Sequence, residues 1–147
     1  MMKTLFAMLA LLVQLGVANA AGTPIGHVKT VSGDASVTSE GVKAKAEVGT
    51  PVYLGSILQT GSKSTMGVTF NDETVMSFGS NTVFSVDDYA YAPDKGKLKL
   101  SSKLTKGSLN YVSGAIAKLK PDAVTVGTPT GTIGVRGTQF LVKVSDE

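Results

Sequence analysis

The 147-residue chain has no cysteine, no tryptophan, one histidine (His27) and one arginine (Arg136). The missing cysteines exclude a disulfide scaffold, a thiol nucleophile and a thiol-borne lipid anchor. Without tryptophan, a sugar-stacking platform would have to come from tyrosine or phenylalanine. A lone histidine leaves little from which to assemble a Ser-His-Asp triad, and no Gly-x-Ser-x-Gly elbow occurs. It also has no companion at metal-ligand spacing. The formal net charge is +3, one unit of it from Lys3. That charge gives no basic footprint of the kind nucleic acid requires. We therefore expect no enzyme activity, no cofactor, no metal and no nucleic-acid partner.

Glycine is abundant, with 17 residues against a usual share of ~7%. The opening segment is distinct from the rest. Lys3 precedes an apolar run from Leu5 to Val17 broken only by Gln14, and Ala18-Asn19-Ala20 places small residues where a signal peptidase inspects them. Residues 1–20 thus read as a cleaved export signal, too short an apolar run to span ~30 Å of hydrocarbon. Later apolar stretches are all interrupted within a few residues. A soluble periplasmic or secreted product, with no stable membrane span after cleavage and one domain over 21–147, is the expectation.

Side chains alternate between the two faces of a strand but repeat every 3.6 residues in a helix. Period two prevails here. Met66, Val68 and Phe70 alternate with Thr65, Gly67 and Thr69, turn chemistry follows at Asn71-Asp72-Glu73, and Thr74 to Phe78 resumes the pattern. Thr82 to Val86 makes a third short strand. In Lys97 to Leu104, leucines at 98, 100 and 104 oppose lysines at 97, 99 and 103. Further strands are expected at 25–31, 35–38, 56–59, 108–112, 123–126 and 139–144, with a helical turn allowed at 115–120. Residues 90–96 are the best loop or hinge. The class is all-β with very little helix, either a β-roll of solenoid-like character or a sandwich of short strands.

Five candidate features bear on function. Glycines 131, 134 and 137 suggest a phosphate cradle, but they lead into a strand rather than a helix, so nucleotide binding is not expected. Arg136 can either tie together turns of the fold through its planar fork or contact a ligand or partner. Lys95, Lys97, Lys99, Lys103 and Lys106 form a stripe that reads as a solvated face, as edge protection, or as a contact for an anionic polymer. Tyr89 and Tyr91 share a face and are the only plausible aromatic platform. Asp72-Glu73 and Asp87-Asp88 lack the spacing of a glycosidase pair or a calcium loop and read as turn and solvating residues.

Three stretches in order resemble the FecR-like domain, named for a ferric citrate regulator of bacterial envelopes. Val48-Gly49-Thr50-Pro51-Val52 with Leu54 to Gly61 is similar to the family's opening turn and strand. Gly67 to Met76 resembles a strand meeting an Asp-Gly-Ser turn, with Asn-Asp-Glu-Thr standing in its place. Val126-Gly127-Thr128-Pro129-Thr130-Gly131 through Gly134-Val135-Arg136-Gly137-Thr138-Gln139-Phe140 resembles the closing Thr-Pro … Arg-Gly-Thr-x-Phe signature, the most specific of the three. The resemblance runs from about Gly26 to Val144. It implies an all-β interaction domain of envelope signalling, with Thr128, Pro129, Arg136, Gly137 and Thr138 as fold-defining positions and no catalytic residues. Regulators of this type add a membrane span and a cytoplasmic segment that controls a sigma factor. A leader running straight into the domain does not fit that mechanism. The expected role is therefore an exported, non-catalytic module that docks another envelope or secreted protein. Binding of an anionic envelope polysaccharide through Lys97, Lys99, Lys103, Tyr89 and Tyr91 is the alternative.

Overall fold

The structure, a computed structural model, describes residues 22–145; the expected export signal lies outside the described residues. Twelve strands and one short helix follow in chain order. The strands are β1 (Gly26–Ser32), β2 (Ala35–Ser39), β3 (Val42–Lys45), β4 (Pro51–Val52), β5 (Ile57–Thr60), β6 (Thr65–Phe70), β7 (Val75–Phe78), β8 (Val83–Ala92), β9 (Lys97–Val112), β10 (Val124–Thr128), β11 (Gly131–Gly134) and β12 (Gln139–Val144). The helix α1 (Ala115–Leu119) stands between β9 and β10.

The expected strands at 97–104 and 108–112 are one strand of 16 residues, and that strand organises the fold. Its buried positions are even-numbered at Leu100, Ser102 and Leu104 and odd-numbered at Leu109 and Tyr111. Because strand periodicity is two, a change of parity requires one residue outside the alternation. The pairing with β8 slips at this point, from Phe84 opposite Leu104 to Val83 opposite Lys106. Gly107 sits beside the slip with φ +92°, a conformation glycine takes without the steric cost other residues incur.

The two halves of β9 belong to two layers. The first half lies in the order β3-β2-β5-β8-β9-β10-β11 and the second in β4-β1-β6-β7-β9-β12. All pairings are antiparallel except β9 with β10. The result is a curled half-barrel of the expected all-β class.

The layers meet over one apolar cluster. Val68, Met76 and Phe78 from one layer and Leu58, Phe84 and Leu100 from the other are essentially inaccessible to water. The Phe78 and Phe84 rings lie 4.8 Å apart, and those of Phe70 and Tyr89 lie 5.8 Å apart, so aromatic pairs bridge the layers at two points. Hydroxyls close the corner near the bend of β9. The Thr60 hydroxyl donates to the Gly79 carbonyl at 2.6 Å and accepts the Thr82 amide at 2.9 Å. The Thr82 hydroxyl in turn accepts the Ser108 amide at 3.1 Å.

Two sequence expectations are narrowed here. Of the loop or hinge expected at 90–96 the structure shows the loop, as a tight hairpin: β8 runs through Ala92, Pro93–Lys95 forms a single 3₁₀ turn, and Gly96 at φ +67° starts the return. The edge reading of the lysine stripe fails at Lys103, where β9 is paired on both sides, whereas Lys97 and Lys99 lie beyond the β10 pairing and are flanked by β8 alone.

Candidate functional site

The closing motif occupies one side of the half-barrel, and its backbone is firmly held. The Thr128 hydroxyl donates to the Gly131 carbonyl at 2.8 Å, closing the turn from β10 into β11. The Val135 amide donates to the Val124 carbonyl at 3.2 Å. Ser113 holds the next two residues, its hydroxyl donating to the Gly137 carbonyl at 2.7 Å and its amide to the Thr138 carbonyl at 2.8 Å. Val135 is buried, whereas Arg136, Gly137 and Thr138 are exposed. Among the described residues Arg136 makes no hydrogen bond and no ion pair. It does not tie turns together. The tying is done by carbonyls of the same motif, leaving the guanidinium displayed.

On both sides of this motif the sheet ends in strands with an unpaired flank. β11 pairs only with β10, and β12 pairs only with β9. Both branch from the same side of β9, since β8 and β7 occupy the other side. The four-residue link 135–138 joins them. Two adjoining clefts, of ≈ 420 and ≈ 540 Å³, open between these strands and share Ile133, Val142 and Lys143 as walls.

The remaining candidate residues fall on the two faces of the layer that holds β8 and the first half of β9. Lys97, Lys99 and Lys103 all project outward from β9 and are exposed, with Lys99 Nζ 3.0 Å from the Asp88 carboxylate. Such an exposed pair contributes at most about 1 kcal/mol. The β8 register slips between Val86 and Asp88 and leaves Asp87 unpaired; its carboxylate accepts the Ser85 hydroxyl at 3.1 Å, while Asp88 pairs with Lys99. Tyr89 and Tyr91 do share a face, opposite Leu100 and Leu98, but it is the inner face. Tyr91 retains 38% exposure at the rim, while Tyr89 turns into the protein. No two-tyrosine platform is presented to solvent. Sequence reasoning missed Lys43 and Lys45, which β3 sets beside Thr38 and Ser36 on the outer face. The alternation Val-Lys-Ala-Lys at 42–45 was the available signal.

A second constellation, also missed, lies at the β6–β7 turn. Asp72 is 1% exposed, not solvating. One carboxylate oxygen accepts the Tyr89 hydroxyl at 3.0 Å and the Thr74 amide at 3.3 Å. The other accepts the Thr74 hydroxyl at 2.7 Å and the Ile116 amide at 3.1 Å. The Asp72 amide donates to the Tyr89 hydroxyl at 3.0 Å, and its carbonyl accepts the Ala115 amide at 2.8 Å. One side chain thus fastens the turn, β8 and the start of α1, supplying from 44 residues away the cap that Gly114 does not provide. Burial, and then the Asp72 charge, push the Tyr89 phenol far above its ordinary value. Tyr111 is likewise raised by burial, and its hydroxyl lies near Thr74 and Ser113 without a hydrogen-bond partner. Glu73 in this turn takes φ +69°, a conformation that glycine adopts more readily.

His27 is exposed on β1, opposite Pro51 and Thr69. Among the described residues no three His, Cys, Asp or Glu side chains gather as metal ligands, and no helix is long and apolar enough to cross a membrane.

The described residues thus form a curled all-β half-barrel closed by the Thr-Pro and Arg-Gly-Thr motif. A family profile described as FecR protein matches residues 56–147, and the chain belongs to that family. The match begins at Ser56, yet β1 pairs with β6 and β2 with β5, so the sheet extends N-terminal of the matched residues. FecR domains are envelope-associated signalling and regulatory domains involved in protein interactions. Comparison with curated proteins and with solved structures gives no significant match.

Proposed function

We propose that the chain is exported by its N-terminal leader, residues 1–20, and that residues 21–147 act outside the cytoplasm as a non-catalytic docking module for another envelope or secreted protein. The observation that carries this reading is the display of the closing motif. Its main chain is fastened at Gly131, Val135, Gly137 and Thr138, while Arg136, the Thr138 side chain and the whole of β11 face solvent. A rigid backbone presenting free side chains and an open strand edge is suited to recognition. Family membership supports the same reading. The polysaccharide alternative is weakened, since Tyr89 is partly buried against the core and only Tyr91 is exposed.

Photo-crosslinking in intact cells tests the proposal. A probe carried at Thr132 or Arg136 is expected to capture one discrete protein neighbour on a chain that has lost its leader. Recovery of the unprocessed chain from the cytosol, or the absence of any protein adduct from probes placed around the surface, would overturn it.

A further inference from the structure

The four terminal strands of the two layers are not equally guarded against pairing. β3 carries Lys43 and Lys45, which discourage strand addition, and β4 is only two residues long and begins with Pro51. β12 carries Lys143. β11 reads Gly-Thr-Ile-Gly, with no charge and no proline, and all four of its residues are exposed. Side chains added at Gly131 or Gly134 would meet nothing within 4 Å, so no neighbour crowds the faces of this strand, and its second edge has no partner strand among the described residues.

The groove beside β11 has a definite chemical character. Its walls include Ile133, Phe140 and Val142, and the charged side chains that line the ≈ 420 Å³ cleft are Arg136 and Lys143, both positive. Neither forms an ion pair among the described residues; the pair found there is Lys99 with Asp88. The unpaired main chain asks for an extended segment, the apolar walls for alternate hydrophobic side chains, and the two cations for acidic residues between them.

We infer that the seam between β11 and β12 binds an extended partner segment in which aliphatic residues alternate with aspartate or glutamate, added as a strand to the free edge of β11. This deepens the docking role proposed above and rests on it. Main-chain hydrogen bonds supply the affinity in such strand addition, and the alternate side chains supply the specificity. Arg136, exposed and making no hydrogen bond or ion pair among the described residues, is the specificity residue.

Two capped hexapeptides test the inference, one alternating valine with aspartate and one alternating valine with lysine. The purified chain is expected to bind the aspartate peptide saturably, with a dissociation constant below about 1 mM. Amide hydrogen exchange should slow in residues 131–134. Replacing both Arg136 and Lys143 by glutamine should weaken binding several-fold, leaving the circular dichroism unchanged because both side chains are exposed. N-methylation of the peptide backbone on its pairing side should abolish it. Equal binding of the lysine peptide, protection at β3 or β4 instead of β11, or no saturable binding would overturn the inference. In cells, adducts from a probe at Lys45 and none from Thr132 would sink this site and leave the docking role standing. Adducts from neither, nor from any other surface position, would sink the docking role itself.

Discussion

Replacing Asp72 by asparagine preserves the shape of the side chain and removes its charge, so it isolates the buried carboxylate's contribution to the fold. The carboxylate accepts from four donors, the Thr74 amide and hydroxyl, the Tyr89 hydroxyl and the Ile116 amide. An amide offers one oxygen, so whichever way the substituted side chain is turned, two of those donors face an NH₂ group. Hydrogen bonds to a charged acceptor contribute about 1.5–3 kcal/mol each, and a stranded buried donor costs a similar amount. The amide is easier to bury than a carboxylate, which offsets part of the loss. The expected net destabilisation is about 3–5 kcal/mol, a large fraction of the ~5–15 kcal/mol that holds a typical domain together. Urea unfolding followed by circular dichroism measures it, with exposed Asp94→Asn as a control expected within about 0.5 kcal/mol of the parent. A double-mutant cycle with Tyr89→Phe should show a coupling of about 1 kcal/mol or more, since the hydroxyl bonds both the Asp72 carboxylate and its amide. A loss below about 1 kcal/mol for Asp72→Asn, or no coupling to Tyr89, would refute the view that this side chain fastens the turn, β8 and α1 together.

Four further outcomes are expected. Tyr111→Phe removes a buried hydroxyl without a partner, so unfolding experiments should show stability unchanged or raised by up to about 1 kcal/mol, and a clear loss would show that the hydroxyl is bonded. Glu73→Gly relieves a positive φ at an exposed turn position and should stabilise by about 0.5–1 kcal/mol, visible as a higher Tm. Gly114→Ala would thrust a methyl group into the Thr74 amide and the Asp72 carbonyl, and should cost about 3 kcal/mol or more, or prevent folding, in the same assay. The phenols of Tyr89 and Tyr111 have pKa values raised above the ordinary 10, so the folded state holds their protons more tightly than the unfolded chain. Their contribution is fully present below pH ~10 and is lost as the pH climbs towards the folded-state values. Denaturation midpoints should accordingly fall above pH ~10, and Tyr89→Phe should flatten that decline.

Much of the fold was legible because one-sided burial writes itself into alternation. The leucines of 98–104 and the Val-Phe-Met pattern of 65–78 each announce a strand and its inner face. Even the bend of β9 is present in the sequence, as the change from even to odd apolar positions between Leu104 and Leu109. What alternation does not encode is partnership, and this is where the expectations diverged from the structure. The lysine stripe reads identically on an edge strand and on a central one, and only the pairing with β8 and β10 decides between them. Tyr89 and Tyr91 do lie on a common face, yet a bulge at Asp87, invisible to a period-two count, precedes them, and that face points inward. Asp72 could not be found because its partners lie 17 and 44 residues away, and a buried aspartate and a solvated turn aspartate look the same in a local window. β11 escaped notice for a different reason: two glycines flanking Thr132-Ile133 leave too few side chains to establish a period. That poverty of side chains also leaves the edge unguarded. A strand that must stay closed to other chains is commonly given lysine, proline or a neighbour. One whose outer edge bears none of these, next to an arginine that makes no bond among the described residues, has the composition expected where pairing with another chain is the purpose.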